Sequence, residues 1–69
     1  MSSNDLQKDV VYTDKHGRFR KIIGFFNGLG GDRRVRYEKG YVQNDGKWRF
    51  FDSGSCSRKS FARWAKEKL

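Results

Sequence analysis

Residues 52–69 are the only part of the chain with a clear helical period. At about 100° per residue, one side of the predicted helix carries Phe61, Trp64, Ala65 and the stem of Lys68. The other side carries the cations Arg58, Lys59, Arg63 and Lys66. Ser57 is predicted to cap the helix, after a turn at residues 52–54. The cations form either a solvated face or a binding face, and the helix alone does not decide between them.

The rest of the chain has to supply a core within a short length. The 69 residues make one small domain, near the lower size limit for folding without a metal or disulfides. Six Phe, three Tyr and two Trp provide large apolar area for it. Residues 1–8 have few large apolar side chains, so we predict a flexible N-terminus before a single domain at residues 9–69.

Four segments rich in β-branched and aromatic residues predict strands at residues 9–13, 18–26, 33–41 and 47–51. Residues 14–17 and 44–46 end in glycine and predict tight turns between antiparallel neighbours. Gly24, inside the second segment, predicts a bulge or bend. We therefore predict an α+β, mainly β fold: a small antiparallel sheet or SH3-like barrel of four to five strands with one C-terminal helix.

Alternation along the strands predicts which side chains share a face. In the second strand, Phe19, Ile23 and Phe25 are predicted on one side, opposite Ile22 and Phe26. In the third, Val35 and Tyr37 point inward while Arg34, Arg36 and Glu38 point outward. In the fourth, Trp48 and Phe50 share a face. The predicted aromatic core is Phe19, Phe25, Tyr37, Trp48, Phe61 and Trp64.

Few residues could support catalysis. His16 is the single histidine and lies in a predicted turn, and Cys56 is the single cysteine. Arg58 and Lys59 next to Cys56 are expected to lower its pKa, but His16 is the one side chain that could serve as its base. The sequence therefore predicts a protein that is not an enzyme and has no metal or cofactor. With one thiol and no long apolar run, we expect a cytoplasmic protein that does not enter a membrane.

The net charge of +8 comes from sixteen Lys and Arg residues against eight Asp and Glu residues. Such a charge attracts polyanions, acidic proteins or anionic membranes. Arginines outnumber lysines in the predicted strands, and arginine binds phosphate with two parallel hydrogen bonds. The predicted nucleic-acid contacts are Arg20, Arg34, Arg36, Lys47, Arg49, Arg58, Lys59 and Arg63. An exposed Tyr41 or Phe51 would add a stacking surface for single strands.

Two resemblances bear on this interpretation. The first rests on Val10 to Asp14, Gly17-Arg18, Arg20 to Ile23, Arg34 to Tyr37, Cys56 to Arg58, Ser60-Phe61 and Arg63 to Ala65. This pattern of a hairpin with tyrosine, aspartate and glycine, then basic strands, resembles small uncharacterised phage and prophage proteins. That resemblance implies an SH3-like or Tudor-like barrel and no assigned activity.

The order of strands followed by a helix also resembles the DNA binders in which a three-stranded sheet enters the major groove. These include the arm-binding domains of phage integrases and plant GCC-box domains. That resemblance implies that Arg34, Arg36, Lys47 and Arg49 read the groove. We therefore predict a small basic module, encoded by a phage or prophage, that binds DNA or RNA mainly through the phosphate backbone. The alternative is a protein-binding inhibitor or adaptor that docks on an acidic surface of a host nucleic-acid-processing protein.

Overall fold

Three ten-residue strands, joined by short turns, make the body of the molecule. A computed structural model describes residues 1–69. Its strands are β1 (Val11–Thr13), β2 (Arg18–Asn27), β3 (Arg33–Val42), β4 (Trp48–Ser57) and β5 (Glu67–Lys68). One α-helix, α1 (Arg58–Trp64), follows β4 and precedes β5 along the chain, and short 3-10 turns span Ser3–Asp5 and Leu29–Gly31. None of these helices has the length and apolar character needed to cross a bilayer.

The strands form one antiparallel sheet in the order β4-β3-β2-β1-β5. The predicted mainly β fold with one C-terminal helix is confirmed. β4 and β5 lie at opposite edges of the sheet and do not pair with each other. The SH3-like barrel is therefore not confirmed, because a barrel needs its first and last strands to close.

Both predicted turns are present. Gly17 has a φ of 84° and Gly46 a φ of 82°, a backbone conformation that glycine adopts at little cost. The Asp14 carboxylate accepts a hydrogen bond from the His16 backbone N–H at 2.8 Å. Such an aspartate turn holds the short connection between β1 and β2. The chain therefore reverses direction where the sequence predicts it.

Two bulges displace the alternation of the long strands. One lies between Ile22 and Gly24, as the glycine predicts. Because of it, Ile22 and Phe25 share a face, so the predicted grouping of Phe25 with Phe19 is wrong. The other bulge was not predicted: Lys39 pairs with Asp52 and Gly40 with Phe50, which leaves Phe51 as the extra residue.

The helix begins where the sequence predicts but ends early. The Ser57 hydroxyl accepts a hydrogen bond from the Ser60 backbone N–H at 3.1 Å, which confirms the cap. The predicted turn at residues 52–54 is wrong, because β4 continues through it. Lys68 is also not helical. It lies in β5 and pairs with Tyr12 of β1, so the last residues extend the sheet instead of the helix.

The core lies between α1 and one face of the sheet. Its buried members are Leu6, Tyr12, Ile22, Val35, Tyr37, Phe61, Ala62 and Ala65, with Phe25, Cys56 and Trp64 packed against them. The ring of Phe61 lies 5.6 Å from the rings of Tyr12 and Tyr37, centre to centre. Leu6 belongs to the segment of residues 1–8 and packs on this core. The predicted flexibility of that segment stays a prediction. Trp48 is exposed and Phe19 stacks on it away from this core, so the predicted places of these two rings in the core are wrong.

Candidate functional site

The register of the sheet sorts its side chains onto two faces, which we call the helix side and the open side. Paired residues on neighbouring strands point to the same face, and every second residue along a strand does so too. The helix side therefore shows four successive rows across β2, β3 and β4: Phe25–Val35–Cys56, Ile22–Tyr37–Gly54, Arg20–Lys39–Asp52 and Arg18–Tyr41–Arg49. The first two rows belong to the core, and the last two are mostly basic.

Beyond the helix, the helix side has no second layer. We call this region the bare platform and define it by Arg18, Lys39, Tyr41, Arg49 and Phe51. Tyr41 is 43% exposed and Phe51 63% exposed. Their ring centres are 5.5 Å apart, with 53° between the ring planes. A shallow cleft of about 290 Å³ lies beside these rings.

Arg20 and Arg58 are held against aromatic rings at the border of the core. The Arg20 guanidinium lies 4.2 Å from the centre of the Trp64 ring and 4.6 Å from that of Tyr37. The Arg58 guanidinium lies 4.3 Å from the centre of the Phe25 ring. Cation–π contact of this kind fixes the charge of an arginine in place. Arg58 is thus half-buried, and its predicted place on the outer face of the helix is wrong.

The helix contributes further cations on the same side. Lys59, Arg63 and Lys66 are exposed, and the Lys66 ammonium donates to the Arg63 carbonyl at 3.1 Å. At the start of α1, a cleft of about 440 Å³ has no hydrophobic side chain in its lining and includes Arg33, Arg58 and Lys59. Cations therefore lie at both ends of the helix side.

The structure does not bring all eight predicted contacts together. Five lie on the helix side or on α1: Arg20, Arg49, Arg58, Lys59 and Arg63. Arg34 and Arg36 lie on the open side, as the inward position of Val35 and Tyr37 requires, and Lys47 lies at the turn before β4. Arg49 and the pair Arg34 and Arg36 therefore cannot form the single reading surface that the groove-binding resemblance implies.

Few of the cations are neutralised by a carboxylate. The salt bridges are Lys15–Glu67 at 3.7 Å, Arg18–Asp14 at 2.9 Å and Arg34–Asp32 at 2.9 Å. Lys39, Arg49 and Arg63 have no carboxylate oxygen within 4 Å. The positive charge of the helix side is thus largely available to a partner.

The open side carries a different aromatic pair. Phe19 and Trp48 stack with ring centres 5.2 Å apart and 25° between their planes, so they cover much of each other. Alternation correctly groups Trp48 with Phe50, since both pair on the open side. Sequence reasoning missed that no second layer covers this face, because α1 is the one helix long enough to pack and it lies opposite. Trp48 is 46% exposed as a result.

The two candidate reactive side chains are separated. Burial raises the pKa of the Cys56 thiol above its usual range and outweighs the opposing charges of Arg20 and Arg34. This is the reverse of the lowered pKa expected from Arg58 and Lys59. Cys56 packs against the core, and His16 is exposed in the turn before β2. Together they do not make a nucleophile with its base.

Comparisons with other proteins add no further constraint on this arrangement. No protein-family model, no curated protein and no solved structure matches the chain. What the protein binds is therefore inferred from the charges and rings described above.

Proposed function

We propose that the protein is a small nucleic-acid-binding module that contacts mainly the phosphate backbone. One observation carries the proposal: cations from α1 and from the bare platform share one side of the molecule and lack carboxylate partners. These cations are Lys39, Arg49, Lys59 and Arg63. A polyanion would neutralise them and release its own counterions, which favours binding.

The arrangement is extended, which suits a chain of phosphates. Arg58, at the start of α1, lies over Phe25, and Trp64, at its end, lies beside Arg20. The helix therefore runs along the strands, from the core rows toward the bare platform. The molecule is 43 Å in its longest dimension and 21 Å in the next. Cations spaced along such an axis can follow successive phosphates of one strand.

The test is fluorescence anisotropy with labelled single- and double-stranded DNA and RNA, at salt concentrations from about 50 to 300 mM. We expect micromolar or tighter binding whose logarithm falls linearly with the logarithm of salt concentration. The slope counts the phosphates that are neutralised. Absence of binding to every form at the lowest salt would contradict the proposal.

Charge reversal on the two sides of the sheet locates the contact. Lys39→Glu with Arg49→Glu should lower affinity at least about tenfold and reduce the salt slope by roughly two, because two phosphate contacts are lost. Arg34→Glu with Arg36→Glu is the matched control on the open side, with the same change in net charge. A larger loss from the control pair, in a protein that still unfolds cooperatively, would move the contact to the open side.

One observation favours a second function, docking on an acidic protein. The open side exposes Trp48 and Val42 beside Phe19, and it also carries Arg34 and Arg36. Apolar side chains ringed by charge are typical of protein interfaces. Weak binding to bare nucleic acid, together with tight binding to a single protein that Trp48→Ala abolishes, would support this function over the first.

A further inference from the structure

Resting on that proposed function, we propose that the bare platform binds unpaired bases, so that the ligand is single-stranded nucleic acid. Tyr41 and Phe51 would stack on successive bases, while Arg18, Lys39 and Arg49 hold the neighbouring phosphates. A surface that binds unpaired bases needs aromatic faces open to solvent, cations within reach of them and no layer of protein that covers them.

The faces of both rings are open. Phe51 is the extra residue of the β3–β4 bulge, and its ring lies beside Tyr41 instead of on the core. The 53° tilt between the planes keeps the two rings from covering one another, as parallel stacking would. Every base presents a π-face, so two such rings can bind bases without regard to sequence.

Cations flank the rings on both sides. Arg18 and Arg49 are the cross-strand neighbours of Tyr41, on β2 and β4 respectively. Directly paired residues lie about 5 Å apart, so a base on Tyr41 has an arginine to either side. Arg49 has no carboxylate partner, whereas the Nε of Arg18 donates to Asp14 and leaves its other guanidinium N–H groups for a phosphate. Lys39 precedes Tyr41 by two residues and faces the same way. Single strands are bound by this combination of stacking rings and backbone cations.

A duplex would not use the rings. Its bases are stacked on each other and paired, so their faces are covered. An aromatic side chain can reach those faces only if the bases are first unstacked, which costs free energy. On a duplex, Tyr41 and Phe51 would lie against sugar and phosphate with no apolar partner. The platform therefore favours single strands over duplex beyond what charge alone gives.

The open side provides a contrast within the same molecule. Phe19 and Trp48 are nearly parallel and cover each other. The row next to Phe19 places Lys21 opposite Glu38, so it carries one charge of each sign. Arg34 and Arg36 lie on the same side but at least four residues along β3 from Gly40, the partner of Phe19. The stacked pair therefore has fewer cations beside it than Tyr41 has, and Trp48 serves as the control position.

The experiment distinguishes the contribution of bases to affinity from that of phosphates. Anisotropy is measured with a thymidine homo-oligomer of about twelve nucleotides, a length within the range that small single-strand binders cover, and with an abasic oligomer of the same length. A duplex of equal phosphate number completes the set. We expect the thymidine oligomer to bind about five- to hundredfold more tightly than the abasic one, from stacking of one or two bases.

Variants assign that difference to the platform. Phe51→Ala and Tyr41→Ala should each lower affinity for the thymidine oligomer and leave affinity for the abasic oligomer nearly unchanged. Phe51→Leu keeps the apolar bulk and removes the π-face, so it should behave as Phe51→Ala. Trp48→Ala should retain the preference for bases. Unfolding transitions of all four variants are recorded to verify that they fold.

The outcomes distinguish this inference from the proposed function. Equal binding of the thymidine and abasic oligomers would overturn the stacking site and leave phosphate binding in place. A preference for bases that Trp48→Ala removes and Phe51→Ala does not would overturn the assignment to the platform. No binding to any probe would remove the proposed function and this inference together. Binding to the duplex at least as tight as to the thymidine oligomer would overturn the preference for single strands.

Discussion

Tyr37 and Tyr41 lie on the same face of the same strand, yet their surroundings differ. Tyr37 is 6% exposed and contacts Phe61 of α1, whereas Tyr41 contacts Phe51 and remains open to solvent. The cause is the difference in length between α1 and β3. A helix of seven residues is about 10 Å long, whereas a strand of ten residues spans about 33 Å. The helix covers one half of its side of the sheet and cannot reach the other.

The two tyrosines indicate where stability resides in this chain and where we propose that binding occurs. At the covered half, aromatic rings contribute to the core by leaving water. At the bare half, Tyr41 and Phe51 contribute little to folding, because most of Phe51 stays in solvent. Substitutions at the covered half should therefore change stability, and substitutions at the bare half should change binding.

Phe61→Ala should have the largest effect of any single substitution. Its ring is fully buried between Tyr12, Tyr37 and Trp64, and truncating a buried phenylalanine costs about 3–5 kcal/mol. That cost is comparable to the whole stability of a small domain, so the cooperative thermal transition followed by circular dichroism should be lost.

Phe51→Ala is the matched control for Phe61→Ala, with the same side chain removed at the bare half. Its melting temperature should stay close to that of the unmodified protein, because little apolar area leaves the interior. If Phe61→Ala melted cooperatively near the original temperature, or if Phe51→Ala unfolded the protein, the division into a covered and a bare half would be wrong.

Gly40→Ala should have the next largest effect, because Gly40 lies at the bulge where the two halves meet. An added Cβ would come within 2.6 Å of the Phe50 ring and 2.8 Å of the Arg49 carbonyl oxygen, which is backbone and cannot easily move. Overpacking of this kind costs roughly 1–3 kcal/mol. The free energy of unfolding in urea should fall by that amount.

Gly24→Ala tests whether the lack of space for a Cβ, and not the loss of a glycine as such, causes the lower stability expected of Gly40→Ala. Gly24 lies at the other bulge, has no atom within 4 Å of an added Cβ and does not have a positive φ. Alanine should be tolerated there. A loss of stability at Gly24 as large as that at Gly40 would mean that bulges, and not the Phe50 ring, require glycine.

These two bulges also explain how far the fold could be predicted. The positions of the first three strands, both turns and the Ser57 cap follow from local residue preferences, and they are confirmed. The fourth strand was predicted to end at residue 51 but continues to Ser57, and β5 was not predicted. Alternation predicts faces only while the register is unbroken. Gly24 predicts a bulge but not which residue is displaced, so the face of Phe25 was wrong. Nothing in the local sequence predicts the bulge at Phe51.

The candidate site was predictable in composition more than in arrangement. Arginines and candidate stacking residues could be named, and the two candidates, Tyr41 and Phe51, are both exposed. Their grouping could not, because it depends on where α1 ends. The helical period continues past Trp64, but residues 67 and 68 pair with β1. Tertiary contacts, and not the local sequence, decide that this segment joins the sheet. The eight predicted cations consequently divide between two sides.

The smallest predicted effect concerns Asp14, which connects the turn before β2 to the bare half. Burial of the Asp14 carboxyl raises its pKa, but hydrogen bonds from the His16 and Arg18 backbone N–H groups and the charge of Arg18 outweigh burial. The pKa in the folded protein is therefore below its ordinary value. A lowered pKa stabilises the fold above the unfolded value, and that stability is lost as pH falls through the folded one.

Asp14→Asn should therefore destabilise the protein slightly at neutral pH, by about 0.5 kcal/mol, because the Arg18 side chain is largely exposed and its charge is screened. The difference in urea midpoint between the two proteins should shrink as pH falls below about 4, the ordinary pKa of an aspartate, because the unfolded chain then takes up a proton before the folded protein does. Equal midpoints at pH 7 would show that the hydrogen bond from His16, which the asparagine oxygen can also accept, holds the turn without help from the charge. A difference that stayed constant from pH 7 to below about 3 would show that the charge of Asp14 is not its cause. Arg18 shares its row with Tyr41, so an unchanged fold with altered affinity for single strands would place this turn in the binding half.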